Sequence, residues 1–295
     1  MAGGSRRSVF NRLILAALAL LLGACSRPVE VNPALWLAEG PQGQKVWLFG
    51  TIHALPAPVA WRSAKVDAAL RQADLLVLEV ADITNDAGTA KAFAELAQSP
   101  GLPPLAQRIE LDLRDELSAE LKDGGIAPAQ LDPYETWAAA LMLQQADSAA
   151  GADDAANGID RALAKAWTGA IAEFEGAPAQ LSIFDRLPEP QQRALLSAVV
   201  REAPQREGET LALQTAWMRG DMDFISQTTS EDFLNHPELR EALLTGRNRA
   251  WLVQLDAMLA KGARPFVAVG AAHLAGADGL PAMLNARGWK VTRFQ

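Results

Sequence analysis

Two segments near opposite ends of the chain share one pattern. Val46-Trp47-Leu48-Phe49-Gly50-Thr51-Ile52-His53 and Phe266-Val267-Ala268-Val269-Gly270-Ala271-Ala272-His273 each run apolar and then read Gly-x-x-His. The chain has 3 histidines, so two in equivalent places are candidates for shared chemistry. An imidazole can ligate a divalent ion or take a proton from water near neutral pH. The same pattern would also arise if each glycine ended a strand and each histidine capped the next helix. Glu79 is the third candidate, because it interrupts the otherwise apolar Leu75-Leu76-Val77-Leu78-Glu79-Val80. A carboxylate at a buried strand end costs several kcal/mol unless an arginine, a helix N-terminus or a bound cation pairs with it.

Two imidazoles and a carboxylate form a donor set suited to Zn, Mn, Fe or Co with positions left for water and substrate. Such an ion would bring the pKa of bound water toward ~7 and polarise a carbonyl. Glu175, closing Ile171-Ala172-Glu173-Phe174-Glu175, is a candidate second carboxylate and general base. Arg247, followed by Asn248, is a candidate for fixing a substrate carboxylate or an oxyanion, or for an ordinary ion pair. Gly50 and Gly270 lack a Cβ and so allow a substrate to approach the backbone closely. His236, before Pro237, reads as a helix start and is left out of the site. No phosphate loop, dinucleotide fingerprint or Gly-x-Ser-x-Gly elbow is present, which disfavours an ordinary serine hydrolase.

The elements that must position these residues follow from patterning. Leu35 to Glu39 and Lys45 to Phe49, split by Gly40-Pro41-Gln42-Gly43, predict a β-hairpin. Leu75 to Leu78 is a strand covered on both faces, Ala170 to Phe174 a third candidate, and Phe266 to Val269 and Trp289 to Phe294 the last two. Helices are expected over Trp61 to Ala73, Ile159 to Trp167 with Gly169 as its cap, Gln191 to Val200, Thr210 to Arg219, Asp221 to Thr228, from Asn235 onward, Asn248 to Leu259, and Gly279 to Ala286. Residues 87–157 form a helical insert, with helices through Leu111 to Leu121 and Tyr134 to Gln145. The fold class is therefore α/β: a central mixed, mostly parallel sheet flanked by helices. In such a sheet, ligands bind beyond the carboxyl ends of the strands.

Arg6, Arg7 and Arg12 flank an apolar run from Leu13 to Leu22, and Leu22-Gly23-Ala24-Cys25 follows. The run is shorter than the ~20 residues that span a bilayer, so it reads as a secretory signal. Leu22-Gly23-Ala24-Cys25 resembles the bacterial lipobox, with Cys25, the sole cysteine, as the lipidated first mature residue. Ser26 then favours the outer membrane over the inner. This gives a signal over residues 1–24, a tether over 25–34 and a single domain over 35–295. The chain carries a net charge of −8; the leader holds three arginines and no acid, so its removal leaves −11. An acidic surface of that size argues against a nucleic-acid partner.

Leu48-Phe49-Gly50-Thr51-Ile52-His53, Glu79 after its strand, Gly158-Ile159-Asp160, Phe174-Glu175 with Gln180-Leu181, Arg247-Asn248-x-x-Trp251, and Val269-Gly270-Ala271-Ala272-His273-Leu274 with Gly279-Leu280 together resemble the TraB/GumN family, which includes the Tiki proteases and the pheromone-shutdown proteins. The resemblance covers nearly all of the mature chain. It implies a fold similar to the erythromycin-esterase and ChaN-like group. It also implies metal-dependent peptide cleavage through His53, His273 and Glu79, with Glu175 and Arg247 as further members. Where the family often has Glu-Thr, this chain has Glu175-Gly176, which removes a hydroxyl and keeps the carboxylate.

Three functions are thus expected. The first is a metal-dependent hydrolase, a peptidase using Mn, Co or Zn, on a lipid-anchored protein of the bacterial cell envelope that faces the periplasm. The second is a non-catalytic protein that binds metal, haem or a peptide in the same cleft. The third is a metal-free, esterase-like hydrolase with His53 as general base.

Overall fold

Successive side chains of a strand point to opposite faces, so a continuous apolar run buries both faces of a sheet. In the computed structural model, which describes residues 31–150, 154–231 and 233–295, these strands are β1 (Leu35–Glu39), β2 (Lys45–Thr51), β3 (Leu75–Leu78), β4 (Ala170–Glu173), β5 (Pro265–Gly270) and β6 (Lys290–Arg293). They form one sheet in the order β4-β3-β5-β2-β1-β6. The signal segment and Cys25 lie outside the described residues. β1 and β2 are the expected hairpin, antiparallel with Leu35 opposite Phe49. β2, β5, β3 and β4 run parallel, and β6 pairs antiparallel with β1. The sheet is therefore mixed, within an α/β fold.

The two faces bury separate sets. Trp47, Phe49, Leu76, Leu78, Phe266 and Ala268 pack on one side. Val46, Leu48, Val77, Val267 and Val269 pack on the other, against Trp251, Leu252 and Leu255. The period-2 alternation of the strands produces this split directly. A third core lies away from the sheet, where Trp137 to Ala140 and Leu143 meet Leu195, Leu196, Val199, Val200 and Leu239. The helical insert is thus half of a helical core completed by the Glu189–Glu202 helix. A hydrophobic run shows that a helix is buried but not which later helix buries it.

Two local expectations are corrected. The Ile159–Ala166 helix ends at Trp167, whose backbone is extended, and not at Gly169. The Trp167 indole donates to the Ala170 carbonyl at 2.9 Å, so the chain is already turning toward β4. Second, Gly50 lies inside β2, not past its end. No helix begins at His53, while His273 sits in the short turn Ala271–Leu274.

Arg108 is fully buried in the helical core. Its guanidinium donates to the carbonyls of Tyr134 at 2.6 Å and Asp132 at 3.1 Å, backbone groups that no helix satisfies. Arg108→Met leaves those acceptors unpaired, at about 1–3 kcal/mol each. A drop of that order in unfolding free energy, measured by urea titration, is the expected outcome.

No helix among the described residues is long and apolar enough to cross a membrane.

Candidate functional site

The register brings three chain exits to one sheet edge. β2 and β5 are adjacent and parallel, with Thr51 opposite Gly270; β3 lies on the other side of β5, with Leu78 opposite Ala268. His53, Glu79 and His273 therefore leave the sheet at the same carboxyl end, where ligands bind in open α/β folds. Gly270 marks where they converge. A Cβ placed on it would lie 3.3 Å from Glu79 Oε1, 3.6 Å from His53 Nε2 and 3.9 Å from His273 Cδ2.

His53 faces the open side. Its ring is 67% exposed and lines a cleft of about 260 Å³ with Glu79, Asp160, Arg161 and Gln180. Its Nδ1 lies 2.8 Å from Asp160 Oδ2. An ionised carboxylate can only accept, so Nδ1 carries a proton, and in the neutral ring the lone pair is on Nε2, toward the cleft. Asp160 is buried, and its other oxygen accepts from the Thr51 hydroxyl at 2.5 Å. The Asp160 charge raises the His53 pKa to about 9. The backbone locks this pair: Ile159 N–H donates to the Ile52 carbonyl at 2.9 Å. A Cβ on Gly158 would strike the His53 carbonyl at 2.3 Å, so only glycine lets Asp160 come this close.

Beneath His53 lies a second, buried assembly. Glu79 Oε1 accepts from Gly270 N–H at 2.8 Å. Glu79 Oε2 accepts from Arg247 Nη2 at 2.6 Å and Gln180 Nε2 at 3.0 Å. Burial alone would raise the Glu79 pKa; its partners, with Arg247 foremost among those charged at neutral pH, hold it down to about 2. Glu175 accepts from Arg247 Nε and Nη2, both at 2.8 Å, and from the Trp251 indole at 2.9 Å. Trp251 stacks on Phe174, with centroids 5.0 Å apart, and carries Arg247 over its ring at 4.8 Å.

His273 is buried behind this assembly. Burial lowers its pKa to about 3, so the ring is neutral at pH 7. Nδ1 lies 2.7 Å from Asn248 Oδ1, while Asn248 Nδ2 donates to the carbonyls of His273 at 3.2 Å and Asp278 at 2.8 Å. Asn248 must then accept at Oδ1, which puts the His273 proton on Nδ1. His273 Nε2 accepts from Arg247 Nη1 at 3.1 Å. Arg247 and Asn248 follow a π-helical stretch, Glu241–Thr245, of the kind often found at functional sites. Gly246 closes it: its N–H bonds the Glu241 carbonyl, and a Cβ there would come within 2.5 Å of that oxygen.

The structure thus gathers His53, Glu79, His273, Glu175, Arg247 and Gly270 into one network, but their positions differ in kind. Arg247 also donates to the Leu243 carbonyl at 3.1 Å, so all five of its N–H bonds point at protein acceptors and none is left for a substrate. Glu175 is held between Arg247 and Trp251 away from the cleft, which does not suit a general base. Asn248 uses both ends of its amide inside the protein and positions His273 without contacting substrate. Gly50 lies below the site, its carbonyl taking the Trp217 indole at 2.9 Å. The sequence reading assigned no role to Asp160, Thr51 or Gln180. Gly158-Ile159-Asp160 stood out as a motif, yet nothing in it pointed to His53, 107 positions away.

The donor set meets the expected divalent ion in chemistry but not in placement. The chemistry suits one: each histidine is held through Nδ1 by an acceptor, the usual arrangement for ligating Nε2. The placement does not. Arg247 stands at hydrogen-bonding distance from both His273 Nε2 and Glu79, so an ion bonded to both would sit against a guanidinium. Among the described residues, no three His, Cys, Asp or Glu side chains are arranged to hold one ion.

An acid-anchored imidazole facing a cleft at the carboxyl ends of parallel strands, above a buried guanidinium–carboxylate cluster, marks an α/β protein with a polar concave site. The TraB/PrgY/gumN family profile matches residues 34–293, and the chain belongs to that family. It is 28% identical over 248 residues to the "Uncharacterized protein YbaP" of Escherichia coli (strain K12), covering 83% of this chain and 89% of that one. The Shigella flexneri protein of the same name matches to the same extent. No solved structure matches the chain.

Proposed function

We propose that the chain is a hydrolase of acyl substrates, esters or amides, in which His53 acts as general base without a metal. One observation carries this reading: His53 Nε2 has no protein partner among the described residues and faces the cleft, while Nδ1 is fixed by buried Asp160. Water between Nε2 and Glu79 Oε1 can donate one hydrogen bond to each. His53 takes a proton as the water oxygen bonds the carbonyl carbon. The imidazolium then returns that proton to the leaving oxygen or nitrogen as its bond to carbon breaks. Asp160 keeps the ring in the reactive tautomer, the role of an acid behind a catalytic histidine. Glu175, Arg247, Asn248 and His273 form the rigid, neutralised floor that holds Glu79 in place.

The test is hydrolysis of a panel of 4-nitrophenyl esters and a peptide library before and after exhaustive chelation. Activity that survives 1,10-phenanthroline and EDTA is expected. Activity lost on chelation and restored by Mn²⁺, Co²⁺ or Zn²⁺ would replace this reading with the metal-dependent peptidase. Stoichiometric binding of metal, haem or peptide without any turnover would replace it with the non-catalytic protein.

We propose also that acylated Cys25 anchors the domain to the periplasmic face of the outer membrane. The lipobox-like Leu22-Gly23-Ala24-Cys25 supports this, since several acyl chains on one cysteine anchor durably. Cys25→Ser should move the protein from the membrane pellet to the soluble fraction and abolish labelling by radioactive palmitate. Retention in the pellet would reject the anchor.

A further inference from the structure

The cleft around His53 carries one charge pair that the hydrolytic machinery does not use. Arg161 follows Asp160 directly and lines the cleft, as does Asp86. Arg161 Nη2 meets Asp86 Oδ1 at 2.7 Å. Arg161 Nε and Nη1 have no hydrogen-bond partner among the described residues. The other charged groups of the cleft are committed: Asp160 to His53 and Thr51, and Glu79 to Arg247, Gln180 and Gly270. Among the described residues, Arg161 is the one arginine or lysine lining the cleft, and most of its donors are unspent.

Its present partner is easily exchanged. The Asp86 side chain is 77% exposed and that of Arg161 26%, so water screens the pair, and such pairs hold weakly. Asp86 also stands in the first turn of the Asp86–Leu96 helix, where the helix N-terminus favours a negative charge whether or not Arg161 is bound. An arginine presents a planar fork that matches a carboxylate with two parallel hydrogen bonds. Arg161 sits on the same helical turn as Asp160, so its backbone is fixed relative to His53, and both side chains line the cleft. The net charge of the chain is negative, and Arg161 offers an entering anion a cation in the cleft whose charge does not vary with pH.

We propose that Arg161 binds a carboxylate of the substrate, and that the site prefers esters or amides whose acyl part bears a free carboxylate. The preference rests on the hydrolase reading, but the anion site itself can be tested apart from it. Glutarate serves as the binding probe, followed by calorimetry, and the 4-nitrophenyl monoester of glutarate is compared with 4-nitrophenyl pentanoate in turnover. Wild type is expected to bind glutarate and to favour the glutarate ester by roughly ten-fold or more in kcat/KM, as a charge-assisted bidentate contact implies. Arg161→Gln should abolish glutarate binding and level the two esters. Asp86→Asn should tighten glutarate binding, a gain that damage to the fold would not produce. His53→Ala should still bind glutarate. Absence of glutarate binding by wild type, equal binding by Arg161→Gln, or weaker binding by Asp86→Asn would overturn the proposal. Arg161-dependent binding with no turnover of either ester would sustain the anion site and defeat the hydrolase reading.

Discussion

Replacing His53 by alanine is expected to reduce hydrolysis by about 10²–10⁴-fold, the usual contribution of a positioned general base, and to lower the melting temperature, because buried Asp160 loses its charged partner. The two parts follow from one geometry. Nε2 faces the cleft without a protein partner, so its loss removes the base; Nδ1 pairs with Asp160, so its loss strands that buried carboxylate. The pH profile supplies an independent check. The unprotonated ring is the active form, and Asp160 raises its pKa to about 9. The rate should therefore climb with pH and level off above that value. Asp160→Asn removes the charge that raises the pKa, so the rising limb should move toward the ordinary imidazole value of about 6.5, and the plateau should fall because the ring loses its anchor. A profile that does not respond to Asp160→Asn would show that some group other than His53 governs the rate.

The second large effect concerns stability. Arg247→Met should cost about 3–5 kcal/mol, because it strands Glu79 and Glu175 as buried charges without a counter-ion. That is a large fraction of the total stability of a typical domain. The control is the triple variant Glu79→Gln, Glu175→Gln, Arg247→Met. It removes all three charges together and should recover much of the loss, since the penalty comes from breaking the cluster and not from lacking it. Chemical denaturation of the two variants measures the difference. A single Arg247→Met variant as stable as wild type would mean that the cluster is not closed to water.

Parts of this site were legible in the residues themselves. Gly-x-x-His after an apolar run, occurring twice, pointed to His53 and His273; a lone acid ending Leu75-Leu76-Val77-Leu78 pointed to Glu79. These are local signals, and strands and hairpins are local too: the β1–β2 hairpin and β3 fall where apolar runs and turn residues put them. The Asp160–His53 pair left no such trace. Each residue is ordinary in its own segment, and only the packing of the Ile159–Ala166 helix against the loop after β2 makes them partners. The saturation of Arg247 was equally invisible, because a guanidinium reads the same in sequence whether its donors are spent or free.

The types of side chain near the reacting centre, the two-faced strands and the acidic surface were already determined by the order of amino acids, since apolar periodicity and charge need no partner to be read. Which nitrogen meets which oxygen was decided only when β5 inserted between β2 and β3. That insertion placed a strand from the far end of the chain between two early ones, brought His273 behind Arg247, and left His53 facing the cleft. Long-range pairing carries no local signature because its energy comes from contacts between segments that sequence distance keeps apart.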